Sequence, residues 1–450
     1  MYQPVIRCLC YLQHFVCLLQ RDMVGRTRFY TASTGFTLHT TPHKGDKSGM
    51  VQKSTLNELV SGVVNRLKSA GMGFYLMVFI SAMLVLAATG AGLQAMIQGH
   101  ENFYNVTREM PWGILIAAYV FFVVTSTGLC LVSSIGHVFG VQDFMPIAKR
   151  SVFLSIATIL SGFFVIAFEI KLPWRMAIYN VISPNLTSNI WWMGTLYGIY
   201  LMFMFMEYIF LNMNKHRPAV ICGFSGSVAG ILAHSNLGAV FGLLMGREFW
   251  HGPYMPIYFI ASAMMTGCAV IIMFHVLGFK LNREKMGPDM ERALEVTTKI
   301  GILLICVILF FTTWKMISGI AGQPGGKYEA VMALIQGKFA FSFWVFEIMA
   351  AMVLPLILFM ISRGKNMKLM LIASVSMIIG IFVMRFNLVM VGQSVPVYLE
   401  LGVNEYKHLM DYVPSLYEMI ITAGGFGLTA LLFLLGEKVF DGHKVEADHH

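Results

Sequence analysis

Ten separate stretches of this chain are continuously apolar over about 20 residues or more: 73–97, 113–140, 149–171, 189–212, 217–246, 254–279, 298–321, 338–362, 366–391 and 413–437. Each is long enough to cross a hydrocarbon layer about 30 Å thick. Lipid offers no partner to a free backbone group, so such runs must be helices. A membrane β-barrel would show alternation rather than unbroken apolar runs, and is excluded. The expected fold class is an all-α integral membrane protein with ten transmembrane helices. Only 12% of the 450 residues are charged, against about 25% in soluble domains. That excludes a soluble enzyme, a disordered chain and a nucleic-acid-binding module, despite the net charge of +9.

The basic residues are unevenly divided between the two ends of the spans. One side carries 17 Lys and Arg, from Lys53, Arg66 and Lys68 through Lys149, Arg150, Lys280 and Arg283 to Lys438 and Lys444. The other carries seven: Arg108, Lys171, Arg175, Arg247, Lys327, Lys338 and Lys407. The positive-inside rule places the first side, with both termini, in the cytoplasm. In a Gram-negative host the second faces the periplasm, and the chain belongs to the bacterial inner membrane. Residues 1–49 read as a disordered tail or as a reading frame extended upstream of a true start at Met50. Residues 50–72 read as a cytoplasmic amphipathic segment, 73–440 as the transmembrane domain and 441–450 as a cytoplasmic tail. The seven cysteines include no C-x-x-C pair, so no iron–sulfur cluster or structural zinc is expected in this chain.

An ionisable group inside a bilayer costs about 2.5–3.5 kcal/mol even on lenient scales, so each one within a span calls for a reason. Glu169, Lys315, Glu347, Arg385 and Glu418 fall toward the less basic side, and His234 falls near mid-membrane. His137, Glu207 and His275 fall toward the basic side. The loops of the less basic side add Trp174, Arg175, Arg247, Trp250 and His251; Trp191 and Trp192 open the fourth span, Asn387 lies in the ninth, and Gln393 follows it. Carboxylate, imidazole and guanidinium groups thus share one depth with indole rings. That combination suits a quinone head group, whose oxygens need donors and whose oxidation releases two protons to nearby bases. Glu169 and His251 are the expected proton acceptors. Arg385 is the expected anchor for the carboxylate or a quinone oxygen, and Trp174 and Trp250 the expected slot walls. Arg175, His234, Arg247, Asn387 and Gln393 complete the expected binding set. His137, Glu207, His275 and Glu347 could form part of a proton path.

Four segments carry a resemblance to a known family. They are Ser134-Ile-Gly-His-Val-Phe-Gly140, Phe168-Glu-Ile-Lys-Leu-Pro-Trp174, Trp250-His-Gly-Pro-Tyr-Met-Pro-Ile-Tyr-Phe259 and Arg385-Phe-Asn-Leu-Val-Met-Val-Gly-Gln393. The chain resembles the polysulfide reductase NrfD/PsrC family of membrane subunits, and most of all its ten-span DsrP-type members, found in sulfite-reductase-associated electron transfer complexes. The resemblance implies two four-helix bundles, here spans two to five and six to nine, plus two extra helices. It implies a menaquinone or ubiquinone bound near the periplasmic face, no haem or iron–sulfur cluster in this chain, and a ferredoxin-like iron–sulfur subunit docked on that face. Multihaem cytochrome c and b-type cytochrome subunits are further implied partners, beside membrane lipids. Glu169 stands where relatives have an acidic residue or His in a motif ending Leu-Gly-Arg-Pro. Lys171 and Leu172 replace the Gly-Arg, and Arg175 is the candidate stand-in for the arginine. Trp250, His251, Arg385, Asn387 and Gln393 match family positions, and His137 matches a motif at the cytoplasmic end.

The residues also admit two other readings. His137 and His275 lie at similar depth and could ligate a b-type haem. The glycines of the fifth span (Gly223, Gly226, Gly230, Gly238 and Gly242) could break that helix as in a secondary transporter, or could serve close helix packing.

Overall fold

The computed structural model describes residues 67, 70–397 and 409–440. The tail 1–49, most of the segment 50–72 and the tail 441–450 lie outside the described residues. Among the described residues ten helices are long and apolar enough to cross a membrane, and no strand occurs. The protein is an all-α, multi-pass membrane protein. The crossing helices are α1 (Met72–Gln98), α2 (Ile114–His137), α3 (Met145–Glu169), α5 (Asn189–Asn212), α6 (His216–Gly242), α7 (Tyr254–Asn282), α8 (Pro288–Ile320), α10 (Ser342–Ser362), α11 (Met367–Ser394) and α12 (Leu416–Val439). Two short helices, α4 (Pro173–Ile182) and α9 (Lys327–Ile335), lie in the loops of the less basic end. A search for spanning runs passes over both, because nine or ten residues cannot cross a bilayer.

The helices pack as two groups of four. Helices α2, α3, α5 and α6 form the first, and α7, α8, α10 and α11 the second; α7 joins them by packing on α2 and α6. Helices α1 and α12 pair with each other and lean on α3. The most central helix is α2, in which 20 of 24 residues are buried. Where α2 crosses α7, Gly128 meets Gly267 backbone to backbone. A Cβ on Gly128 would fall on the Ala263 carbonyl, and one on Gly267 would fall on the Gly128 backbone. Small residues at such crossings let van der Waals contact replace the hydrophobic drive that lipid removes.

Helix α6 runs unbroken through all five of its glycines. Side chains at Gly223, Gly226 and Gly230 would press on Glu207, Met204 and Tyr200 of α5. Gly238 and Gly242 lie against the backbone at Pro256 and Gly252. Close packing, not a broken carrier helix, is what these glycines provide. Helix α10 is irregular in a different way. Its first 12 residues, Ser342–Val353, wind as a π-helix before the α-helix resumes at Leu354. Wide turns of this kind cost hydrogen-bond quality and are frequent at functional sites.

Candidate functional site

An apolar cavity of about 540 Å³ opens in the first bundle toward the less basic end. Its walls come from α2 (Trp112 just before it, Ile116, Tyr119, Val120), α3 (Phe163, Ile166, Ala167), α5 (Ile190, Met193, Gly194) and α6 (Leu237, Val240, Phe241). Helix α4 covers one side. Its residues Pro173, Met176, Ala177 and Asn180 line the cavity, at the i, i+3, i+4, i+7 spacing of one helical face. Trp174, Ile178, Val181 and Ile182 are exposed. Asn180 anchors the lid to α5: its amide donates to Thr195 Oγ1 at 3.0 Å, and its carbonyl accepts from Trp191 Nε1 at 2.8 Å. A volume of this size is ordinary for a small-molecule site.

Glu169 ends α3 one residue before the lining residue Ile170. Its Oε2 is buried with no hydrogen-bond partner. Glu418 and Tyr104 lie within electrostatic range. Glu418 is itself fully engaged. It accepts from Tyr412 Oη at 2.6 Å, from Asn105 N at 3.1 Å and from Ser415 N at 2.8 Å, closing a capping box at the start of α12. Burial pushes the hydroxyls of Tyr104 and Tyr412 well above the usual tyrosine range, and the neighbouring carboxylates push the same way. Both therefore stay protonated donors at any physiological pH.

Below the cavity a ladder of buried hydroxyls follows the inner face of α5. Tyr197 Oη contacts His234 Nδ1 at 3.1 Å. One turn on, Tyr200 Oη contacts Ser155 Oγ at 2.6 Å and Ser126 Oγ at 3.0 Å. Ser134 and Ser227 follow at 2.6 Å, with Cys130 beside Ser227. At the basic end His137 Nε2 faces the Glu207 carboxylate, and His137 Nδ1 contacts Ser133 O at 3.0 Å. His137 and Glu207 are thus brought together, while His275 has other neighbours. Its Nδ1 contacts Ile271 O at 2.8 Å, and its Nε2 is buried without a partner. It lies within electrostatic range of Arg150 and Glu437.

Arg385 belongs to the second bundle. It is fully buried; Nη2 donates to Ser262 Oγ at 2.6 Å, and Nε and Nη1 have no hydrogen-bond partner. Its charge lies over the Phe259 ring at 5.1 Å and the Tyr258 ring at 5.8 Å. Glu347, on the π-turn of α10, accepts from Asn387 Nδ2 at 3.0 Å, and Ser342 Oγ donates to Asn387 Oδ1 at 2.8 Å. Lys315 packs over the Phe249 ring at 3.6 Å. The gap that Lys315, Glu347 and Tyr254 line is only about 20 Å³. A hydrogen-bonded bridge links this nest to the first bundle. His234 Nε2 contacts the Phe259 carbonyl at 3.2 Å, Ser262 Oγ donates to the same carbonyl at 3.0 Å, and Arg385 donates to Ser262.

The expected cluster of Glu169, His251 and Arg385 is therefore divided. Glu169 adjoins the cavity, Arg385 sits in the other bundle, and His251 is exposed on the α6–α7 loop. Equal depth along the membrane normal does not fix the angle around a bundle axis. Trp250 is not a cavity wall but stands one ring behind it. It stacks on Trp112 at 5.3 Å, donates to Leu388 O at 2.7 Å, and packs flush on Gly392. Trp112 takes the wall position. Trp174 and Arg175 are exposed on the outer face of α4. Arg247 and Gln393 are clamps. Arg247 donates to Gln393 O, Val395 O and Glu109 O at 2.9–3.0 Å, capping the carbonyl end of α11. Burial holds its guanidinium below the usual arginine range. Gln393 pairs with both the N–H and the C=O of Trp112.

Reading by charge missed two features. Tyr197 and Tyr200 carry none, although Tyr197, Tyr200, Met204 and Glu207 follow one helical face and are the buried stripe of α5. Arg150 reads as a loop cation at the sequence level. It is buried in α3 and forks onto Glu437 of α12, with Nε–Oε1 at 2.6 Å and Nη2–Oε2 at 2.9 Å.

Comparison with known proteins accords with this architecture. The family model described as "Polysulphide reductase, NrfD" matches residues 102–397. The chain is similar to a selenate reductase subunit of Mesobacillus selenatarsenatis, 25% identical over 374 residues that cover 73% of this chain and 85% of that one. It is similar to the Hdr-like menaquinol oxidoreductase integral membrane subunit of Archaeoglobus fulgidus, 24% identical over 80% of this chain and 93% of the relative. A putative dimethyl sulfoxide reductase membrane subunit of Halobacterium salinarum is 22% identical over 82% and 92%. The matched region holds the cavity, the hydroxyl ladder and the Arg385 nest, and the chain belongs to the polysulphide reductase NrfD family.

Proposed function

We propose that this chain is the quinol-reactive membrane subunit of a multi-subunit respiratory redox complex. The observation that carries the reading is the apolar cavity under α4, with a buried, unsatisfied carboxylate oxygen of Glu169 at its edge. A lipid-soluble quinone needs an apolar slot reached from the bilayer, and oxidation of its quinol form releases two electrons and two protons. Glu169 is the proton acceptor nearest the slot. Tyr119 and Asn180 are the polar wall residues suited to orient the head group. The Tyr197–His234 pair, the hydroxyl ladder and the His137–Glu207 pair form a proton path toward the basic end.

The electrons pass to a partner on the less basic end, in this reading a ferredoxin-like iron–sulfur subunit, with cytochrome subunits beyond it. The relatives named as subunits of selenate, dimethyl sulfoxide and menaquinol oxidoreductase systems support assembly with redox partners. The charge asymmetry supports a bacterial inner membrane with cytoplasmic termini and a periplasmic partner. The DsrP-like segments support a place in sulfur-compound metabolism. The test is turnover of a menaquinol analogue by the purified complex. Ala177→Trp, which fills the slot, should abolish it, and Glu169→Gln should lower it severely. Full turnover by both variants would discard the site.

A further inference from the structure

A second, larger cavity lies at the opposite end of the molecule, where the α1–α12 pair faces the outer side of the second bundle. It occupies about 830 Å³ between α1, α7 and α12. Two chemistries meet in it. Its membrane-depth walls are apolar, from Phe74 and Met77 on α1, Phe274 and Leu277 on α7, and Phe433 and Leu434 on α12. Its rim at the basic end holds Lys280, Arg283 and Lys438, and no acidic residue is among the described lining residues. The start of α1 opens on the same rim through Gly71 and Gly73, beside which a side chain would meet nothing within 4 Å. That brings the positive end of the α1 dipole to the rim that holds the three cations. Lys438 is held in place at 2.8 Å by Asn282 Oδ1, and Arg283 takes the left-handed turn that ends α7.

We propose that this groove binds an anionic phospholipid. Its phosphate sits among Lys280, Arg283 and Lys438, and one acyl chain lies along Phe74, Leu277 and Phe433. Basic rims above an apolar interhelical groove recognise such head groups by charge, while the groove adds affinity only for an anion that brings an acyl chain. The lipid adds α1 to a seam where α12 already meets α7 through Phe433 on Phe274 at 4.7 Å and Lys438 on Asn282. The site is independent of the quinone reading, since its walls share no residue with the cavity under α4.

The test is native mass spectrometry of the full chain released from nanodiscs. One nanodisc set holds phosphatidylglycerol or cardiolipin, and another holds phosphatidylcholine of matched chains. The wild type should retain anionic lipid and not phosphatidylcholine. Each charge removed, in Lys280→Gln, Arg283→Gln and Lys438→Gln, should weaken retention about fivefold, the equivalent of roughly 1 kcal/mol per basic residue near an anionic surface. Lys280→Arg should retain it. Leu277→Trp, which fills the chain groove with the cations intact, should also lose it. Three outcomes would overturn the proposal: equal retention of both lipid classes, retention by the triple Gln variant, or displacement of the lipid by inorganic phosphate alone. So would a structure in lipid showing the groove filled by residues preceding Ala70 of this chain.

Discussion

Between α2, α3, α5 and α6 the protein keeps an open cavity and fills the space beneath it with neutral hydroxyls and one buried His–Glu pair. Between α7, α8, α10 and α11 the gap beside Lys315 and Glu347 is only about 20 Å³, and Arg385, Glu347 and Lys315 sit among amides and rings instead. Both arrangements put polar groups at membrane depth, but they answer different physical demands. A neutral ladder costs little to desolvate and can surround a removable guest. A charged nest survives only if its partners stay in place, because an uncompensated charge at low dielectric is expensive. The first half is therefore suited to exchange a ligand, and the second to hold a fixed field.

Substitutions in each half can break this contrast. Glu347→Leu strips the nest of its anion and should cost about 3–5 kcal/mol of stability, read as a large fall in detergent melting temperature. A melting temperature equal to wild type would mean the nest is not charged as described. Glu169→Gln should leave melting nearly unchanged but lower quinol turnover about 100-fold, the lower range for loss of a proton-transfer group. Equal damage to melting and turnover would erase the distinction between the halves. Gly267→Ala forces a methyl group onto the Gly128 backbone and should cost about 1–3 kcal/mol, again read by melting. The smallest effect is expected at the clamp. Gln393→Ala removes the Trp112 pairing at about 1 kcal/mol and should raise the apparent KM for quinol through a looser wall more than it lowers kcat.

The fold is legible because lipid enforces it. A backbone without water must coil, so ten apolar runs become ten crossing helices, with ends displaced by only a few residues apart from a seventh span that begins well before its apolar run, at Pro288. What sequence does not supply is azimuth. Glu169 and Arg385 lie toward the same end yet belong to different bundles, and His251 faces outward. Helix α4 is hidden by its shortness, although Pro173, Met176, Ala177 and Asn180 carry its face in plain order. The π-turn has no periodic signature at all. The tyrosine stripe of α5 can be found by asking which polar residues repeat at helical spacing, rather than which carry charge.

The Gly128–Gly267 crossing has a mechanical meaning. Side chains at a seam can slip between rotamers and let neighbours slide. Two main chains in direct touch cannot, because every atom there belongs to a stiff helical rod. That point pins α2 to α7 at one height, so neither helix can slide along the other there without lifting off it.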